Sequence, residues 1–91
     1  MPKVEAFRIA GVYLWFNSAD HKPPHLHAER SGAWEVRIYF LRHPNEMVEI
    51  KWGRPKRAEL KKLLGLAESK RGPLLAEWER KVCVGDAGQE K

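Results

Sequence analysis

Between Lys3 and Trp52 apolar and polar residues alternate in short runs, whereas from Leu60 onward apolar residues recur every three to four positions. The first pattern predicts strands and the second helices. Lys3 to Ile9 and Val12 to Phe16, rich in Val, Ile and aromatics and separated by Ala10-Gly11, are expected to pair as an antiparallel hairpin. In the second run Val12, Leu14 and Phe16 fall on one face and Tyr13 and Trp15 on the other. That pattern suits a strand covered on both sides, hence a candidate central strand. His25 to Glu29 alternates and leads through Ser31-Gly32 into Ala33 to Leu41, a second hairpin. There Trp34, Val36, Ile38 and Phe40 share one face and Glu35, Arg37 and Tyr39 the other. Arg42-His43-Pro44-Asn45 breaks the pattern, and Met47 to Trp52 supplies a last strand.

The period changes near Pro55. Leu60, Leu63, Leu64 and Ala67 follow the i, i+3, i+4, i+7 rule in a helix that Pro55 precedes and Gly72-Pro73 ends. Leu74, Leu75, Trp78 and Val82 form a second stripe. The expected fold class is α+β: an antiparallel sheet of about four to five strands followed by two C-terminal helices packed on one face. A chain of 91 residues has room for one core, so a single domain is expected over 1–84, with 85–91 as a flexible tail.

Composition adds few constraints. Seventeen Lys and Arg against twelve Asp and Glu favour anionic partners, although the charges of the helical half alternate in sign as on a solvated helix face. The lone Cys83 has no partner for a disulfide and no neighbouring His or Cys for zinc, and reads as a small hydrophobe near the end of the last helix. No apolar run approaches the roughly 18 to 20 residues that cross a bilayer, and the first ten residues lack the apolar region of a signal peptide. No membrane partner and a cytoplasmic location are therefore expected. The absence of a Gly-rich phosphate loop, a nucleophile elbow and a Cys cluster argues against nucleotide-driven chemistry.

The candidate chemistry lies between Asn17 and Glu29. A polar stretch, Asn17 to Lys22, is closed by Pro23-Pro24, which forbid helix and hold the chain extended before His25. His21, His25 and His27 fall within seven residues, beside Asp20, Lys22 and Glu29. On a strand, His25 and His27 project to one side and can converge on one ion or substrate atom. Three readings follow. As metal ligands, His25, His27 and Glu29 form a set that His21 or Asp20 closes across the loop; two histidines alone hold zinc poorly, so a divalent metal is allowed and no cofactor is firmly implied. As catalytic groups, His25 and His27, with His21 and Asp20 beside them, exchange protons with an anionic substrate such as RNA, while Lys22, Arg30 and Arg37 bind its charge. As structural groups, the imidazoles hydrogen-bond a loop backbone that its prolines leave short of donors. His43, beside Pro44, reads as an exposed turn residue. Trp34 and Trp78 lie on apolar faces and read as core, and Trp15 and Trp52 as core or interface.

At Ser18, Asp20, His21, Pro23, Pro24, His25 and His27 the sequence resembles a widespread family of small prokaryotic proteins of unknown function, recognised by an S-x-D-H-x-P-P-H-x-H-like signature. The likeness runs from Met1-Pro2 through the Ala33 to Tyr39 strand to Leu75, Trp78 and Glu79. Members are typically encoded beside a second small protein, and the pair looks like a toxin–antitoxin module. The resemblance therefore implies a toxin-like, growth-inhibitory component whose partner is a small protein encoded by the adjacent gene, and it names neither a target nor an oligomeric state. The alternatives are a non-enzymatic protein-binding domain with a structural Pro-Pro-His loop and a metal-dependent hydrolase. This chain departs from the commoner pattern in its longer Leu41 to Met47 loop and its basic Lys51 to Arg57 segment.

Overall fold

The structure, a computed structural model, describes residues 2–17 and 23–83. Ser18, Asp20, His21, Lys22 and the expected tail at 85–91 lie outside the described residues. The alternating runs form four strands, β1 (Tyr13–Trp15), β2 (Leu26–Arg30), β3 (Trp34–Ile38) and β4 (Val48–Gly53). They build one antiparallel sheet in sequential order, each joined to the next by a connection that lets neighbours in sequence pair. Helices α1 (Arg57–Ser69) and α2 (Arg71–Trp78) follow, and a π turn over Glu79–Cys83 extends α2. This is the expected α+β arrangement, and among the described residues no helix is long and apolar enough to cross a membrane.

Strand register decides which side chains are buried. Leu14 lies opposite Ala28, Ala28 opposite Val36, and Leu26 opposite Ile38, so these residues share a face. Leu63 and Ala67 of α1 and Leu74 and Trp78 of α2 join them in one hydrophobic cluster with Phe16, Trp34, Phe40 and Met47. Each large side chain taken out of water there contributes roughly 1.5 to 3 kcal/mol. Leu64 and Leu75 pack half-buried against the cluster, while Leu60 lies beside Leu64 in a surface groove under Pro44 and Asn45.

Three expectations change. Lys3 to Ile9 is not a strand: it follows β1 through bridges at Lys3 with Trp15 and at Ile9 with Val12, and through hydrogen bonds from Val4 N to the Leu14 carbonyl (3.1 Å) and from Phe16 N to the Pro2 carbonyl (2.7 Å). Val4 and Phe7, three positions apart, are both buried, a spacing that strict alternation would place on opposite faces. Because that segment makes only bridges, β1 is the edge of the four-stranded sheet and not its centre, yet Leu14 and Trp15 are buried on its two sides. Finally, Gly72-Pro73 opens α2 instead of ending α1. The break falls at Lys70 (φ −110°, ψ 24°), and Pro73 sits in the first turn, where a helix does not need its N–H.

Long-range polar contacts tie the layers together. Buried Glu77 accepts from Glu5 N (2.8 Å) and Lys81 Nζ (3.3 Å), and Lys81 also donates to the Lys3 carbonyl (2.7 Å), so the N-terminal segment is pinned to the end of α2. Arg71 Nε donates to the Phe40 carbonyl (2.7 Å) and its Nη2 to the Arg42 carbonyl (2.6 Å), fastening the turn after β3 to the start of α2. Arg30 Nε on β2 and Trp34 Nε1 on β3 donate to the Glu59 carboxylate of α1 at 2.5 and 3.4 Å.

Candidate functional site

The face of the sheet opposite the helices carries the polar half of the alternation. Register sets its side chains in two rows across all four strands: Tyr13, Glu29, Glu35 and Trp52 in one, and Trp15, His27, Arg37 and Glu49 in the other. His25, two residues before His27, extends the same side just ahead of β2.

Both imidazoles are buried, His25 to 5% and His27 to 6% exposure. Their rings meet edge to face with centroids 5.2 Å apart, so the pair expected to converge does so. His27 stacks on Trp15 at 5.2 Å and 17°, and Trp15 on Tyr13 at 5.0 Å and 21°. His25 also meets Tyr39 at 5.2 Å and Trp78 of α2 at 5.6 Å. The result is a row of rings from Tyr13, 42% exposed at the sheet edge, inward to the helical layer. Contacts of this kind contribute roughly 0.5 to 1.5 kcal/mol each beyond the area they bury.

His25 Nδ1 lies 2.8 Å from the Pro23 carbonyl. A carbonyl only accepts, so Nδ1 carries the proton and donates, and in the neutral ring the lone pair stands on Nε2. The second proline's neighbour thus folds back on the first, which anchors the start of β2. Arg37 Nη1 donates to Tyr39 Oη (3.3 Å) and Glu49 Oε1 (3.1 Å), and the Arg42 guanidinium lies 4.1 Å above the Tyr39 ring. Arg37, opposite His27 in register, is the one described cation expected for substrate charge that shares the histidines' face.

Arg30 does not share it. It alternates with His27 and Glu29 onto the helix side, where Glu59 holds it. The hydrogen bonds from Arg30 and Trp34, together with the Arg30 charge, outweigh the effect of burial and lower the Glu59 carboxyl below the ordinary carboxylate range. Glu29 does lie on the imidazole face, half-buried between Tyr13 and Glu35. Among the described residues, however, no three of His, Cys, Asp and Glu form a group that could hold a metal. Asp20, His21 and Lys22 fall outside the described residues. His43 is an exposed turn residue as expected, and its Nδ1 accepts from Asn45 N (3.2 Å) to cap a short 3-10 turn at Pro44–Glu46.

Trp15, Tyr39, Arg42 and Trp78 were not foreseen as neighbours of the histidines. For Trp15 the signal was present in its alternation with Leu14 but needed the β1–β2 register, and Trp78 reaches His25 only through tertiary packing.

No curated protein and no solved structure matches the chain. One family model does, described as a domain of unknown function and covering residues 11–79, about three quarters of the sequence and the whole of the sheet and both helices but for the N-terminal segment and the last turn. The chain belongs to this DUF4160 family.

Proposed function

We propose that the protein is the toxin-like component of a two-gene prokaryotic module, and that the imidazole face of its sheet is the surface its small protein partner engages. The observation that carries this reading is Tyr13, 42% exposed at the sheet edge and stacked on a buried row of rings, Trp15, His27 and His25, backed by Trp78. Rings held this firmly before binding lose little side-chain freedom on contact, so more of the contact energy appears as affinity. The face bears Glu29, Glu35 and Glu49 against Arg37, and Arg37 is already engaged by Glu49, so the matching partner surface is basic. The resemblance at the Pro-Pro-His segment supports the two-gene setting, and Asp20, His21 and Lys22 enter only through their sequence adjacency to it. Co-expression with the neighbouring gene is expected to yield a stoichiometric complex, weakened by Tyr13→Ser without loss of fold. Soluble wild-type protein, expressed alone, is expected to slow growth; unchanged growth, or a neighbour that fails to co-purify, refutes the proposal.

A second reading, acid–base chemistry on RNA, rests on the Nδ1 bond of His25, with which Nε2, beside His27, would be the atom that exchanges a proton. Here Arg37, with Lys22, would bind phosphate. His25→Asn and His27→Asn then abolish RNA cleavage while keeping fold and partner affinity. Loss of fold and affinity together assigns the imidazoles to structural support.

A further inference from the structure

The protein's charge is not spread evenly. Residues 51–62 contain six cations, Lys51, Arg54, Lys56, Arg57, Lys61 and Lys62, and one carboxylate, Glu59, an excess of five that equals the excess of the whole chain. Elsewhere the signs balance. All six cations are exposed, and among the described residues none of them has a carboxylate partner. Glu59 does not offset them, because it is bonded to Arg30 on β2.

This segment is the end of the edge strand β4, the turn at Gly53-Arg54-Pro55 and the first two turns of α1. Trp52 stands at its start with 43% exposure, and its indole N–H donates to Glu35 Oε1 (3.3 Å), which fixes the ring's orientation and leaves part of it open. Ile50, 52% exposed, precedes it. Unpaired cations lose solvent and counterions at no cost in broken ion pairs when a polyanion binds, and an open indole offers a base a surface to stack on.

We infer that residues 51–62 form a binding surface for a single-stranded nucleic acid, with the six cations on its phosphates and Trp52 under a base. An acidic protein would satisfy the cations but has no use for a fixed, open indole beside them. Trp52 borders the imidazole face through Glu35, its partner in register, whereas the six cations play no part in the reading of that face, so loss of RNA binding in a cation variant and loss of the partner complex in Tyr13→Ser are distinguishable outcomes.

The test is fluorescence anisotropy of a labelled single-stranded RNA of about 20 nucleotides, titrated with the full chain over a range of salt. With about six phosphates contacted, log K is expected to fall against log salt with a slope of about −4. Arg54→Glu/Lys56→Glu/Arg57→Glu should weaken binding at least about tenfold and flatten the slope by about 2. Lys3→Glu/Arg8→Glu/Arg80→Glu removes the same charge from exposed positions elsewhere and should change affinity less than about threefold. Trp52→Ala should weaken binding and leave the slope unchanged. Urea midpoints check that each variant is folded. Equal loss in both triple variants, no effect of Trp52→Ala, no binding by wild type, or binding of poly-glutamate in preference to RNA each overturns the inference.

Discussion

Gly53 and Gly32 allow backbone strain and steric clash to be measured separately in one sheet. Both have left-handed φ, +81° and +75°, so a Cβ at either position imposes a similar backbone penalty of about 1 to 2 kcal/mol. Their surroundings differ. Nothing lies within 4 Å of a Cβ built on Gly32, in the turn between β2 and β3, whereas one built on Gly53 runs into the Ala33 carbonyl and comes within 2.6 Å of Trp34 Cα. These neighbours are backbone atoms at the start of β3 and in the turn just before it, with Trp34 paired to Gly53 in register, and cannot swing aside as a side-chain end would. Relief requires the ends of β3 and β4 to separate beside Trp34, whose ring is 2% exposed in the core, at a further cost of about 1 to 3 kcal/mol. Gly32→Ala is therefore expected to destabilise by about 1 kcal/mol and Gly53→Ala by about 3 kcal/mol. In a domain of this size the melting temperatures fall by about 6 and 18 °C respectively. Urea unfolding followed by tryptophan fluorescence, with m-values compared to establish a common unfolded state, measures both. If the two variants differ by less than about 0.5 kcal/mol, backbone conformation alone accounts for both and the close approach of the strands does not govern the β4 end.

Three further outcomes test the packing. Leu63→Ala, at a position 1% exposed, should cost about 3 kcal/mol, against less than about 1 kcal/mol for Leu60→Ala in its surface groove; equal losses in urea unfolding would reject the helix orientation. Arg71→Lys keeps the charge but not the fork that spans the Phe40 and Arg42 carbonyls, and is expected to cost about 1 to 2 kcal/mol and to raise hydrogen exchange in the turn after β3; unchanged protection there would refute the clamp. Because its folded carboxyl is lowered, Glu59 contributes stability that is complete above the ordinary carboxylate range and is lost as pH falls through its folded value. Glu59→Gln should thus be less stable than wild type at neutral pH, with the two urea midpoints converging in acid; a gap that persists to about pH 2 would place the effect in packing and not in charge.

The candidate site was partly legible. The same-side placement of His25 and His27 follows from a period of two after a Pro-Pro stop, and their rings do meet. Arg30, equally close in sequence, belongs to the other face because it stands an odd number of residues from both, and alternation alone should have removed it from a substrate-binding set. What surrounds the histidines was not legible. Trp15 and Trp52 have similar sequence contexts and both stand on edge strands, yet Trp15 is buried against His27 with the N-terminal segment bridged to it at Lys3, whereas Trp52 is 43% exposed, an outcome that depends on where the rest of the chain packs.

The order of elements, the apolar face of Trp34, Val36, Ile38 and Phe40, and the change of period near Pro55 were determined by the sequence itself, because each is a local repeat enforced by backbone geometry. Helix boundaries were less secure: Gly72-Pro73 reads as a stop or a start, and only the chain's return to the core at Leu74 and Trp78 selects the start. The N-terminal segment shows the same dependence, since its β-rich composition yields to the burial of Val4 and Phe7 and to the Glu77 and Lys81 contacts. The pairing of Arg30 with Glu59 across 29 positions and the meeting of His25 with Trp78 of α2 were likewise decided by tertiary structure. Their energies depend on distances that no local pattern encodes, and they exist only once the sheet has brought remote parts of the chain together.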